Sequence, residues 1–318
     1  MARFSRQLIS FFRGACLAAG SLFFFLSLPL HAEDPQPVKF AAWNLRNYLH
    51  TVEVPEKHAP RDTRPKPAAE IEAVTRILVS VRPDIAGFCE VGSPVDLAAL
   101  QQRLKEVGLD LPHSEYVQAA DKERHLALLS RFPIVARQPQ TSLSYLLDDS
   151  KLPLQRGILD VTLQITPEWL LRCAGVHLKS RRDVPEADEA LMRRNEAHLV
   201  RQYVDGILAA SPETNLLLYG DFNSERNEPL YRAVTGTRGS EAYLTALTPV
   251  DADGERWTYY YPDADAYSRI DYLFASRGLM PQVVPRSPAI YSGGDWLDAS
   301  DHRLISVEIM PQERTRRR

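Results

Sequence analysis

The sequence predicts a layered α/β fold, and two patterns predict it. Short apolar runs, each suited to a strand buried on both faces, alternate with segments whose apolar residues recur at helical spacing. Several of those runs also end in a polar residue: Asn44, Glu90, His177, Asp221 with Asn223, and Asp301 with His302. Layered α/β folds bring strand ends of this kind to one rim, where ligands bind.

The N-terminal segment, residues 1–32, reads as a secretory leader. Arg3, Arg6 and Arg13 precede an apolar segment from Ala15 to Leu30, and Leu-His-Ala follows before the acidic, proline-rich Glu33 to Val38. About 16 apolar residues fall short of the roughly 20 that a spanning helix needs, so cleavage after Ala32 is expected. The expected product is secreted or periplasmic, without integral membrane association, and acts as a monomer. Cys16 lacks the apolar residues that precede a lipidated cysteine. Residues 33–318 then form one expected domain, within range for a single large α/β or sandwich unit.

Val38 to Asn44 opens that domain as a short buried strand. Leu49 to Lys66 is rich in Pro, His and charge without periodicity, which makes it a loop placed to cover the end of that strand. From Ala68 to Val81, Ile71, Val74, Ile77 and Leu78 share a helical face, and Pro83 stops the helix. Asp84 to Glu90 is a buried strand ending in an acid, and Val95 to Val107 an amphipathic helix. His125 to Ser130 and Ile134 to Arg137, joined by Arg131-Phe132-Pro133, read as one hairpin-like pair; Gly157 to Ile165 and Trp169 to Leu178 read as a second. Pro185 to Ala210 is a long helical stretch feeding the strand Leu216 to Tyr219. Pro229 to Val234 is a short helix, Ala266 to Ala275 and Leu304 to Met310 are the last strands, and Thr315 to Arg318 is a basic frayed tail.

Composition narrows the function. Without the leader's three arginines, 35 basic residues face 41 acidic ones, a net charge of −6. A polyanion must then be met by a local basic patch or a metal ion rather than by bulk charge. Cys89 and Cys173 lie in apolar runs and read as buried free thiols, with a single bridge between them left open.

The chemistry concentrates in Thr214 to Ser224. Asp221 and Asn223 are two apart, so an extended chain sets a carboxylate and a carboxamide on one side and turns Phe222 to the core. A hard oxygen donor beside a neutral amide suits a hydrated divalent cation and the phosphate it activates. Gly-Asp-Phe-Asn alone is equally well a turn. Glu90 closes a buried run, where an acid costs desolvation unless paired, and a cation is an economical partner.

In order along the chain stand Ala42-Trp43-Asn44, Asp84 to Glu90 with Val91, Leu129-Ser130-Arg131-Phe132-Pro133-Ile134, Val176-His177-Leu178, Gly220-Asp221-Phe222-Asn223, Arg269-Ile270-Asp271-Tyr272 and Ser300-Asp301-His302. With these pieces, spread over nearly the whole mature chain, the sequence resembles the endonuclease/exonuclease/phosphatase superfamily. The resemblance implies a four-layered α/β sandwich, two face-to-face mixed sheets flanked by helices, and metal-dependent hydrolysis of phosphodiester bonds. It implies Mg²⁺ or Mn²⁺ as cofactor, with Ca²⁺ a further candidate. Glu90, Asn44 and Asp301 would then be the metal residues. Asp221 would orient or deprotonate the attacking water, and Asn223 would hold a phosphate oxygen. His302 would bind the phosphoryl oxygen or serve in proton transfer, Asp271 would fix its tautomer, and His177 would give a second hydrogen bond to phosphate.

For substrate, the sequence offers Lys179, Arg181 and Arg182 after His177, and with Arg131 and Arg156 these could ring a cleft with positive charge. For Arg181 and Arg182 a solvated turn is an equal alternative. Trp257, Tyr259, Tyr260 and Tyr261 could stack bases, although a tyrosine-rich strand more often packs a sheet. DNA or RNA is the first expectation for the substrate. A phosphatase or a sphingomyelinase-like phospholipid phosphodiesterase is the alternative, and Leu143 to Leu154, with two Asp and a Lys, is a weak lipid-dipping hairpin.

Overall fold

The computed structural model describes residues 36–49 and 65–312. The leader, the middle of the 49–66 loop and the basic tail lie outside the described residues, and with them the expectations of cleavage, gating and fraying.

Each face of each strand has a destination. In chain order the elements are β1 (Val38–Tyr48), α1 (Ala68–Val81), β2 (Ile85–Val91), α2 (Pro94–Glu106), β3 (His113–Val117), β4 (His125–Ser130) and β5 (Ile134–Arg137). There follow β6 (Ser144–Leu147), β7 (Ser150–Pro153), β8 (Ile158–Thr166), β9 (Trp169–His177), α3 (Glu189–Ala210), β10 (Leu216–Asp221) and α4 (Pro229–Thr235). The last are β11 (Thr245–Ala246), β12 (Tyr259–Tyr261), β13 (Ala266–Ser268), β14 (Asp271–Ala275), β15 (Ala289–Ile290), α5 (Trp296–Ala299) and β16 (Ile305–Ile309).

Two six-stranded sheets result, ordered β15-β16-β1-β2-β4-β3 and β11-β14-β10-β9-β8-β5. Strand β1 runs parallel to β2, and β9 parallel to β10. Strand alternation fills three apolar layers. Phe40, Leu128, Leu171, Leu217 and Tyr219 meet between the sheets. Ala41, Trp43 and Leu129, turned the other way, pack under Val74, Ile77 and Leu78 of α1 and Leu100 of α2. Val176, Leu218 and Phe222 pack under Val200 and Val204 of α3 and Val234 of α4. The architecture is the expected four-layered sandwich. Cys89 and Cys173 are both buried and unbridged.

Three elements differ from the sequence reading. Strands β4 and β5 do not pair with each other: β4 lies between β2 and β3 in one sheet, while β5 pairs with β8 in the other. Arg131-Phe132-Pro133 is thus a crossing between sheets. Helix α3 begins at Glu189 because the Asp188 carboxylate caps it, accepting the Leu191 N–H at 2.8 Å. The strand expected from Ala266 to Ala275 breaks at Arg269-Ile270 into β13, which pairs with β12, and β14, which joins the second sheet. No helix among the described residues is long and apolar enough to cross a membrane.

Candidate active site

Sheet register assembles one rim. Asn44 of β1 lies opposite Cys89 of β2, so Asn44 and Glu90 leave the first sheet at the same end. In the second sheet Asp221 of β10 pairs with His177 of β9 on one side and Asp271 of β14 on the other, which sets three functional side chains abreast. Gly220 permits that row. Its φ is 135°, and a Cβ there would stand 1.9 Å from the Val176 carbonyl oxygen, so any side chain would drive β10 away from β9 just before Asp221. Strands β1 and β2 of the first sheet bulge here, with Arg46, Asn47 and Glu90 at positive φ. Strain of this kind persists only where the surroundings impose it, and it turns the Asn47 N–H onto Glu90 Oε2 at 2.8 Å.

Asp221 Oδ2 is the hub. It accepts from Asn44 Nδ2 at 3.0 Å and lies 3.5 Å from His177 Nε2 and 3.7 Å from His302 Nε2. Asn44 Nδ2 also donates to Glu90 Oε1 at 3.3 Å, and His177 Nε2 is 3.9 Å from the same oxygen. Behind His302, its Nδ1 meets Asp271 Oδ2 at 2.9 Å. Ser300 Oγ donates to the Asn44 carbonyl and accepts the His302 N–H, tying the segment before β16 to the end of β1 within the first sheet. Thr258 Oγ1 accepts the Ile270 and Asp271 N–H groups and holds the start of β14.

The two histidines have opposite charge preferences. Burial pulls the His177 imidazole well below its ordinary pKa, with Arg156 and His302 adding to the effect, so it is neutral. Burial acts on His302 in the same direction, but the Asp271 and Asp221 carboxylates outweigh it and hold the ring up at about 10, an imidazolium. Burial pushes the Asp221 carboxyl up to about 7 against the pull of His302.

Clustered hard oxygen donors fit a divalent cation. Glu90 and Asp221 face each other across the neutral Asn44 amide, and burial opposes the Asp221 charge, a cost that a cation would offset. Asp221, Asp271 and His302 also offer donor atoms within 4.8 Å of one another. The His302–Asp271 hydrogen bond, however, commits that pair to each other, which leaves the Glu90 side as the better oxygen site.

Some expected residues sit elsewhere. Arg131 is not at the cleft: Ser130 pairs with Ile85, at the end of β2 opposite Glu90, and Arg131 instead bridges Asp84 at 3.2 Å. Asn223 is not extended beyond Asp221. Its φ is 50°, its N–H donates to Asp221 Oδ1 at 2.8 Å, and its Nδ2 donates to the Leu178 carbonyl at 3.0 Å, so its backbone braces Asp221 while its side-chain amide is tied to the end of β9. Arg181 is paired with Glu228 at 2.7 Å and also contacts the Asn223 carbonyl. Lys179 is buried, its Nζ donating to the Arg182 and Ser180 carbonyls. Asp301 stays at the rim with Oδ2 3.7 Å from Arg46 Nε. Arg156 is buried, and its charge adds to the lowering of the His177 pKa. Its Nε lies 2.8 Å from Asp121 Oδ2 but out of hydrogen-bond alignment, and its buried Nη1 has no partner. Sequence reasoning missed Arg124, whose Nε is 3.9 Å from Glu90 Oε2. Nothing in its local sequence marks it, because the bulged end of β2 brings the two together.

Beneath the rim, Glu196 of α3 is fully buried and accepts the Lys179 N–H at 2.6 Å and the Gln155 N–H at 3.4 Å. Burial pushes its carboxyl up from 4.5 to about 7. Between those values the folded state binds the extra proton, so stability is greatest below the unfolded pKa and falls as pH rises toward 7. The Glu196→Gln variant is expected to lack that component, roughly 3 kcal/mol across the window. Urea midpoints of both proteins from pH 4.5 to 8 check it, and parallel profiles would count against it.

The sequence matches the family described as Endonuclease/Exonuclease/phosphatase family over residues 41–302. The chain belongs to that family. Its members hydrolyse phosphodiester bonds, and the match spans every residue of the rim just described. No curated protein matches the sequence significantly. Among solved structures, the catalytic domain of human Nocturnin with bound sulfate is similar, at 17% identity and a TM-score of 0.60, over 86% of this chain and 93% of that one. Sphingomyelinase C from Streptomyces griseocarneus is 14% identical, with a TM-score of 0.58 over 86% and 99%. Truncated Caenorhabditis elegans TDP2 is 17% identical, with a TM-score of 0.58 over 86% and 98%. At these identities the three support the fold.

Proposed function

We propose that this endonuclease/exonuclease/phosphatase family chain is an exported, Mg²⁺- or Mn²⁺-dependent phosphodiesterase acting on nucleic acid. The observation that carries the reading is the convergence of Asn44, His177 and His302 on Asp221, beside Glu90. Glu90, with Asn44 and Asp221 beside it, holds the cation, which when bound neutralises phosphate charge and makes a water more acidic. Asp221 orients the attacking water and takes its proton as the water oxygen bonds to phosphorus and the P–O bond to the leaving oxygen breaks, the leaving alkoxide taking up a proton. The His302 imidazolium, turned by Asp271, donates from Nε2 to a phosphoryl oxygen whose charge grows in the transition state, and His177 donates beside it.

A lipid substrate has one observation in its favour, the 73% exposure of Leu146 in the β6–β7 hairpin. Asp148, Asp149 and Lys151 in the same hairpin oppose burial in a bilayer.

The test is hydrolysis of plasmid DNA, single-stranded DNA, a sphingomyelin dispersion and bis(p-nitrophenyl) phosphate by the chain from Glu33 onward, with Mg²⁺, with Mn²⁺ and with EDTA. Nucleic acid cleavage that EDTA abolishes is the expected result. Cleavage of the small diester or the lipid with DNA left intact would overturn the substrate assignment. Export is tested by the N-terminal residue of the protein recovered outside the cytoplasm, expected to be Glu33.

A further inference from the structure

The β12–β13 hairpin stands over His302. The Tyr259 ring lies 4.7 Å from the His302 imidazole, and the Tyr260 N–H donates to the Asp301 carbonyl at 3.0 Å, so the hairpin is fastened to the Asp301-His302 segment. Tyr259 and His302 also form an isolated antiparallel bridge.

Strand alternation gives the hairpin two faces. On the back, Tyr260 stacks on Tyr267 at 4.7 Å, and Trp257 packs against Tyr267 at 4.7 Å and Trp296 at 5.2 Å. Arg303 lies 4.1 Å over the Trp257 ring and bridges Asp251 at 2.8 Å. These rings brace one another. On the front, Tyr261 follows Tyr259 by two residues, is 45% exposed, and has no ring packed on it among the described residues. It lies about 7 Å beyond Tyr259 along the strand, the reach of a sugar between a phosphate and its base.

We propose that Tyr261 is the stacking platform for the nucleobase attached to the scissile phosphate, and so a specificity-determining residue. The inference rests on the nucleic acid reading and deepens it. An exposed aromatic ring beside a phosphate site, carried on a hairpin whose back layer is braced, suits a flat heteroaromatic ring. Insertion of the hairpin into lipid is disfavoured by Asp263 and Asp265 at its tip, both exposed. An acidic tip also repels a continuing phosphate backbone. The platform therefore takes one base at the cleavage point, and the strand does not run over the tip.

The experiment compares an oligothymidylate with the same oligomer carrying one base-free tetrahydrofuran residue at the cleavage position, using wild type, Tyr261→Ala and Tyr261→Phe. Kd is also read by fluorescence anisotropy in EDTA, where no turnover occurs. Wild type is expected to favour the base-containing oligomer by about 5-fold to about 150-fold in kcat/KM. Tyr261→Ala should erase that ratio through KM and Kd with kcat little changed, and Tyr261→Phe should retain it. Equal losses on both oligomers, or an unchanged ratio in Tyr261→Ala, overturn the inference. Loss confined to sphingomyelin vesicles overturns it in favour of an interfacial role. A wild type that cleaves neither oligomer yet hydrolyses bis(p-nitrophenyl) phosphate overturns the nucleic acid reading first, and this inference with it.

Discussion

Glu90→Gln is expected to lower kcat at least about 100-fold, equivalent to about 2.7 kcal/mol of transition-state stabilisation, while the protein stays folded. The substitution keeps the shape and an oxygen that can accept the Asn47 N–H, so the bulge at the end of β2 need not change. What it removes is the negative charge that faces Asp221 across Asn44. If that charge holds a cation, both turnover and Mn²⁺ affinity by calorimetry fall together, with thermal midpoints nearly unchanged. Glu90→Ala should cost at least as much turnover, but it also loses the acceptor for Asn47 at a strained position with φ of 64°. The Gln variant is therefore the cleaner test. Turnover within a few-fold of wild type for Glu90→Gln would remove Glu90 from the site.

The fold and the centre of the site were legible in the sequence because both depend on local patterns that tertiary packing reinforces. Apolar runs ending in Asn44, Glu90, His177 and Asp221 became strands whose ends share a rim, as buried runs in a layered α/β fold must. Arg131, Asn223 and Arg181 depart from that pattern through partners remote in sequence. Arg131 lay close to other motif residues in the chain, but antiparallel pairing of β4 with β2 carries it to the far end of the sheet. An extended Asn223 does not form: its φ is 50°, and its side-chain amide donates to the Leu178 carbonyl. Arg181 and Lys179 carried the expected charge, but Glu228 and loop carbonyls take their hydrogen-bonding capacity. A basic cluster in a sequence gives charge and no information on which acids already meet it. The tyrosines at 259–261 show the limit most clearly, because composition cannot tell the ring that braces from the ring that is open. Only the pairing of Tyr260 with Tyr267 separates Tyr260 from Tyr261.

Asp271→Asn is expected to lower kcat by about 100-fold to 10,000-fold while leaving β14 in place. The carboxylate has two duties, and an amide fails at both. It fixes the His302 ring by accepting from Nδ1 at 2.9 Å, which directs Nε2 toward Asp221 and the cleft. It also stabilises the positive charge on a ring that burial alone would make neutral. Asparagine can present its NH2 to Nδ1 instead, and the ring then carries its proton on Nδ1 no longer, or turns to find another acceptor. The backbone anchor is independent of that change: the Asp271 N–H goes to Thr258 Oγ1, and β14 pairs with β10 through Tyr272 and Leu273. Loss of activity without loss of thermal midpoint is therefore the expected signature. Because the carboxylate acts through the imidazole, His302→Ala should cost about as much as the double variant Asp271→Asn with His302→Ala, the non-additivity of residues that work as a unit. Losses that multiply in the double variant would mean that Asp271 acts apart from His302, and the dyad would have to be abandoned.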